Sequence, residues 1–192
     1  MHDVPGESRV FCKFRRGLWS HTLGEWRALE ELQRLGIGVP ERLFVTRRGR
    51  DSGLGMRSVP GRPMDVLLQE GKASEPALGL MPGLLRRLHG SGWVYRDMYW
   101  NHVFLDPEGA DLRLIDVERA FRPRWRLRRW IVKDLAGLLA SWPPGAGSSR
   151  TAGLRFLKAY SGGGLEDGWK GLARRVLSRA AKIRAHVTRY PG

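Results

Sequence analysis

Apolar and polar residues alternate from Arg9 to Arg15 (Arg-Val-Phe-Cys-Lys-Phe-Arg), a run rich in strand formers. The turn formers Pro5-Gly6-Glu7-Ser8 precede it, so residues 2–15 predict a short hairpin. The period then lengthens. Trp26, Leu29, Leu32 and Leu35 recur every three residues and predict a helix over 22–35. Thr22 with Glu25 three residues on fits a capping box at its start, and Gly36, Gly38 and Pro40 end it. Two strands follow, 41–47 and 53–59, around a polar turn Arg50-Asp51-Ser52-Gly53. After Pro60-Gly61 the pattern becomes helical: 64–70 and 76–90, the second broken or kinked by Pro82-Gly83. Short strands at 103–105 and 112–115 flank the turn Asp106-Pro107-Glu108-Gly109. Helices over 128–141, 149–160 and 166–188 complete the chain. Along the last of these, Leu165, Trp169, Leu172, Val176, Ala180 and Ile183 keep helical spacing, a pattern of core packing.

The order is a strand-rich first third and a helical remainder, joined near residues 57–62. A chain of 192 residues can hold one domain or two small lobes around a cleft. A lone cysteine, Cys12, excludes a disulfide scaffold and a cysteine-built zinc module. No apolar run approaches the roughly 18 residues of a spanning helix, and no signal peptide is legible. An intracellular protein that meets membranes only at their surface is expected. The charge is +15, with 34 basic residues against 19 acids, and a field of that sign attracts polyanions. The stretch Arg122–Arg129, with Trp125 interleaved, fits a binding surface for lipid phosphates or nucleic acid, or a solvated face. Lys13 is the only lysine before Lys72, in a stretch with eleven arginines, which marks a place for a compact ammonium.

The chemistry concentrates in residues 88–120. A helix ends at Gly90 and Gly92, and an Arg96-Asp97 pair follows in a loop. Asn101 and His102 stand four and five residues past that aspartate, and a hairpin leads to Asp116 at the end of an apolar strand. Phosphoryl transfer needs such parts: one carboxylate to orient the attacking hydroxyl and take its proton, and a second with a nearby polar ligand to hold magnesium on the nucleotide phosphates. It also needs a lysine on those phosphates and a glutamate to hold the lysine. Lys13 lies on the expected strand and Glu25 opens the following helix, with Glu30 and Glu31 as competitors for the pairing. Asp134, placed near a helix start, can hydrogen-bond the loop backbone or favour the helix end.

The run Leu88-His89-Gly90, Gly92, Arg96-Asp97, Tyr99, His102, Phe104-Leu105-Asp106, with Ile115-Asp116 and Arg119-Ala120 after it, resembles the lipopolysaccharide kinase (Kdo/WaaP) family of the protein-kinase-like superfamily. Gly36–Pro40, Trp125-Arg126 and the stretch from Lys133 to Ser141 also resemble it, so the likeness spans roughly residues 9–160. The resemblance implies an α+β, two-lobed protein-kinase-like fold, with a small β-rich lobe over 1–59, trimmed at its N-terminus, and a mainly helical lobe over 60–192. It implies ATP and Mg2+ as cofactors and a sugar hydroxyl of lipopolysaccharide, or another phosphorylated glycan, as acceptor. Asp97 would be the catalytic base, Asp116 the main metal ligand, and His102 the replacement for the metal-binding asparagine of ordinary protein kinases, with Asn101 a rival. Lys13 would grip the nucleotide phosphates and Glu25 would pair with it, while the base would lie near Met56–Val59. The implied setting is the cytoplasm, peripheral at an anionic inner-membrane surface, and nucleic acid is not among the implied partners.

Two departures qualify the resemblance. Tyr95 stands where the family has a histidine before Arg-Asp. Only twelve residues precede Lys13, fewer than a strand, a glycine-rich phosphate cover and a second strand need. An active kinase is therefore weighed against a relative that binds nucleotide or a partner without turnover. A kinase for an antibiotic, another small molecule or a protein serine is a further alternative. A nucleic-acid-binding module is the rival from another class, and its binding would survive replacement of Asp97 and Asp116.

Overall fold

The computed structural model describes residues 9–145, 150–162 and 168–189. An antiparallel sheet of three strands comes first: β1 (Val10–Arg16), β2 (Arg42–Arg48) and β3 (Asp51–Arg57), in the order β1-β3-β2. The partner of β1 is therefore β3, with Lys13 opposite Leu54. The first arm of the expected 2–15 hairpin falls outside the described residues. The turn between β2 and β3 comes earlier than the polar cluster suggested. Gly49 takes a left-handed φ of 59°, which lets the chain reverse there and leaves Asp51, Ser52 and Gly53 inside β3. Gly55 in β3 leaves room for the Phe44 ring of β2, which a Cβ would strike.

Helix α1 (Trp19–Arg34) packs against this sheet and buries Ala28, Leu29 and Leu32 in the core. It starts three residues before the expected boundary, so Thr22 and Glu25 do not form a capping box. Thr22 lies one turn inside the helix, where its hydroxyl shares a 2.8 Å hydrogen bond with Ser52 and ties α1 to β3. Glu25 is thereby freed for another task.

The remainder is mainly helical. β4 (Arg62–Pro63) leads into α2 (Met64–Gln69), followed by α3 (Glu75–Gly90). α3 runs unbroken through Pro82, which has no N–H to donate but is itself buried in the core, so packing outweighs the lost bond. β5 (Val103–Leu105) and β6 (Leu112–Leu114) form a second small sheet with β4, in the order β4-β5-β6. Gly38, just past α1, accepts a 2.8 Å hydrogen bond from Leu114 N and links the first part of the chain to this sheet. Then come α4 (Leu127–Ala140), α5 (Arg150–Tyr160) and α6 (Gly168–Arg189). One continuous apolar core runs from Ala28 and Leu29 on α1 to Val176 and Ala180 on α6. Among the described residues no helix is long and apolar enough to cross a membrane.

Candidate active site

The loop between α3 and β5 carries Asp97, and its shape is imposed from below. Asp134 sits in the second turn of α4, fully buried, rather than at a helix start. Its two carboxylate oxygens accept hydrogen bonds from the backbone N–H groups of Tyr95 (2.7 Å) and Arg96 (2.8 Å). His89 Nε2 approaches the same carboxylate at 3.3 Å, and its Nδ1 shares a 2.9 Å bond with the Tyr160 hydroxyl. Burial pushes the Tyr160 phenol up to about 12, with the Asp134 charge adding to it, so it stays protonated at neutral pH. Arg96 is held at φ 75°, a left-handed conformation that a side-chain-bearing residue adopts only when its surroundings over-determine it. Gly137 of α4 lies against the loop so closely that a Cβ would come within 2.8 Å of the Met98 carbonyl oxygen.

Tyr95, in the place of the family's histidine, is buried, and its hydroxyl donates to the carbonyl of Ile115. Burial raises that phenol well above its ordinary value, and the nearby Asp116 and Asp97 charges add to the effect. The loop is thus tied to the residue just before Asp116. A second tie runs through His102. Its Nδ1 lies 2.9 Å from the Asp97 carbonyl oxygen. A carbonyl only accepts, so Nδ1 carries a proton, and in the neutral ring the free lone pair is then on Nε2. Ile115 N in turn donates to the His102 carbonyl. Asp116 follows β6 at a left-handed φ of 57°.

Lys13 on β1 reaches this strand end. Its Nζ donates to Asp116 Oδ1 at 2.6 Å and to Glu25 Oε1 at 2.8 Å. Burial alone would lower the Lys13 ammonium, but the bonds to Asp116 and Glu25 outweigh it and leave it raised. Burial likewise works against the Asp116 carboxylate, yet Lys13, His102 and Arg15 together hold it below the usual carboxylate value. Glu25 is buried, and its other oxygen accepts from Arg15 Nη2 at 2.8 Å, while Arg15 also reaches Glu118 at 2.6 Å. Glu30 and Glu31 take other partners, Arg42 and Arg34. The structure therefore brings Lys13, Glu25 and Asp116 into one chain of contacts.

A cleft of about 680 Å3 opens beside these groups. Lys13, Asn101, His102 and Asp116 line it, as do Met56, Ser58 and Val59 at the end of β3. Asp97 is not among its lining residues. It pairs with Arg119, whose Nη1 lies 3.1 and 3.0 Å from the two carboxylate oxygens. Arg15, Glu118 and Arg119 carried no assigned role in the sequence reading. The signals were present: Arg15 is two residues from Lys13 and so shares its face of β1, and Arg119 belongs to the quoted Ile-Asp-x-x-Arg-Ala run. Asp116, Asn101 and His102 all line this cleft, and a carboxylate, an amide and an imidazole are groups that can hold a divalent cation on a polyphosphate.

The sequence profile of the lipopolysaccharide kinase (Kdo/WaaP) family matches residues 14–160. No curated protein matches in sequence. Among solved structures the chain is similar to an aminoglycoside-3'-phosphotransferase of type VIII, with a TM-score of 0.62 at 21% identity over 91% of this chain and 86% of that one. It is similar also to the aminoglycoside phosphotransferase APH(3'')-Id of Streptomyces rimosus, solved with ADP and streptomycin, with a TM-score of 0.64 at 16% identity over 89% and 86%. The bifunctional kinase-methyltransferase WbdD gives 0.52 at 18% identity, over 92% of this chain and 41% of that one. At these identities the likeness is one of fold: two-lobed, α+β and protein-kinase-like.

Proposed function

The chain belongs to the lipopolysaccharide kinase (Kdo/WaaP) family, and on that footing we propose that it is an ATP- and magnesium-dependent kinase acting on a sugar hydroxyl of the lipopolysaccharide inner core or a related glycolipid. Of the lobes expected over 1–59 and 60–192, the described residues of the first hold the nucleotide and those of the second present the catalytic loop and receive the acceptor. The protein works in the cytoplasm, at the inner-membrane surface where such acceptors are exposed.

In this reading the nucleotide occupies the 680 Å3 cleft, with its base against Met56–Val59. Lys13 has three N–H donors, of which Glu25 and Asp116 take two, so one remains for a phosphate oxygen. Asp116 and His102 Nε2 would hold the magnesium ion, with the Asn101 amide oxygen within the same cleft. Bound there, the ion would supply charge neutralisation on the phosphates. Asp97 orients the acceptor hydroxyl and takes its proton as the oxygen bonds to the γ-phosphorus and the bond to the ADP oxygen breaks. Arg119 fixes the Asp97 carboxylate for that task.

The observation that carries the reading is that Lys13, held by the buried Glu25, meets Asp116 at the wall of one cleft, with Asp97 on a loop braced against the same strand end. The test measures Asp97→Asn with purified lipopolysaccharide as acceptor. Turnover should fall by roughly a hundredfold or more, the usual worth of a positioned base, with magnesium–nucleotide affinity by calorimetry within about threefold of wild type. Nucleotide binding with no turnover dependent on Asp97 would instead mark a binding protein without catalysis.

A further inference from the structure

A second cavity, of about 520 Å3, lies between the catalytic loop, the start of α4 and the face of α6. Six cations line it: Arg96, Arg128, Arg129, Lys133, Arg175 and Arg179. Among the described residues no carboxylate lines it. Elsewhere on the surface many arginines have an acidic partner, as in Arg34–Glu31, Arg42–Glu30, Arg57–Glu41 and Arg62–Glu70. None of the six pairs with a carboxylate among the described residues. Like charges gathered in a concave wall repel one another, and the arrangement is relieved only when an anion enters.

The cavity is also built in advance. Arg96 is fixed by its backbone at φ 75°, and its guanidinium lies over the Phe121 and Trp130 rings at 5.7 and 5.4 Å. Its Nε is buried with no hydrogen-bond partner. Lys133 Nζ lies 5.8 Å from the same Trp130 ring. Burial pushes the Lys133 ammonium down. Asp97 opposes that fall, and Arg96 and Arg119 add to it. An anion in the cavity would offset that penalty by direct attraction. Lys133 therefore senses both this cavity and the Asp97 carboxylate, and Arg96 is the residue before Asp97.

We propose that this cavity binds a phosphoryl or comparable oxyanion group carried by the acceptor, and so seats the acceptor with a hydroxyl at Asp97. The seating rests on the phosphotransfer reading above, whereas the anion site does not. The sign of the cavity disfavours a polycationic acceptor such as an aminoglycoside and favours one already phosphorylated.

The test has three arms. Inorganic pyrophosphate is titrated calorimetrically into the full chain, alone and with the Lys13 cleft filled by magnesium and a non-hydrolysable ATP analogue. With the analogue present wild type should still bind pyrophosphate, and Arg175→Gln/Arg179→Gln, altered on the exposed face of α6, should bind it at least about tenfold more weakly, since charge-assisted bonds are lost. Equal affinity in the double variant, or binding abolished by the analogue, overturns the site. In turnover with lipopolysaccharide, the double variant should raise the acceptor KM by about tenfold with kcat within about threefold. That difference should vanish with a chemically dephosphorylated acceptor, and its persistence would overturn the seating. Vesicles of phosphatidylglycerol form the third arm: if the double variant loses vesicle binding but keeps its acceptor KM, the cavity serves a lipid headgroup and the seating is refuted. Asp97-dependent turnover without pyrophosphate binding removes this proposal and leaves the kinase reading. Pyrophosphate binding without Asp97-dependent turnover does the opposite.

Discussion

Replacing Asp134 with asparagine isolates the brace beneath the catalytic loop. The carboxylate accepts from two backbone N–H groups at 2.7 and 2.8 Å, with His89 at 3.3 Å, and it is fully buried. Asparagine keeps one acceptor oxygen and puts an NH2 group in place of the other. Whichever way the amide turns, at least one backbone N–H, of Tyr95 or of Arg96, faces a donor and is left unpaired. A buried group orphaned in this way costs about 1–3 kcal/mol, and the upper half applies because the lost bonds are to a charged acceptor. For a chain of this size the melting temperature should fall by roughly 5–10 °C. The strained Arg96 backbone would relax and carry Asp97 with it, so kcat should fall by about ten- to a hundredfold. The KM for ATP should stay within about twofold, since Asp134 touches neither Lys13, Glu25 nor Asp116. Thermal melting and steady-state kinetics measure both effects. An unchanged melting temperature with unchanged kcat, or a change confined to the KM for ATP, would refute the reasoning.

Further outcomes follow from the same contacts. Gly137→Ala places a methyl within 2.8 Å of the Met98 carbonyl and should destabilise the fold by about 1–3 kcal/mol while lowering kcat, which melting and turnover together would register. His102→Asn should retain more magnesium-dependent turnover than His102→Ala, because asparagine restores a ligand oxygen; equal activities would count against a metal-ligating role. The Lys13–Asp116 pair has a defined pH window. Asp116 is held below 3.8, so its contribution is present above that value and lost as pH falls through the lower folded value. Lys13 is held above 10.5, so its contribution is present below that value and lost as pH rises through the higher one. With Asp116 46% exposed, a double-mutant cycle with Lys13→Met and Asp116→Asn should give only about 0.5–1 kcal/mol at neutral pH, fading in strong acid. A coupling that grows in acid would contradict the pairing.

The parts of this fold visible beforehand were those written in local pattern. Leu29 and Leu32 marked α1 because helical periodicity reports burial, whereas the run from Arg9 to Arg15 marked β1 through its strand-forming residue types, since Val10, Phe11 and Phe14 are exposed. What local pattern does not carry is the partner across space. Thr22 and Glu25 match a capping box in sequence, yet the helix begins earlier and both side chains bond outside it, Thr22 to Ser52 thirty positions away and Glu25 to Lys13 twelve positions away. Pro82 reads as a break, but a proline buried in an apolar core is tolerated inside α3. Asp134 was visible as a candidate; its position in the second turn of α4 and its grip on two loop amides depend on how α4 packs under the loop. Arg15 and Glu118 went without a role because their partnership spans 103 positions of sequence. The basic stretch was legible as charge, but its joining with α6 and Arg96 into one cavity required the tertiary fold.

The most direct test of the whole account is a crystal structure with magnesium and a non-hydrolysable ATP analogue. The account predicts the triphosphate in the cleft between Val59 and Lys13, with the Lys13 ammonium on a phosphate oxygen, Asp116 on the cation and the γ-phosphate facing Asp97. A nucleotide bound elsewhere, or a cation that does not touch Asp116, would contradict it.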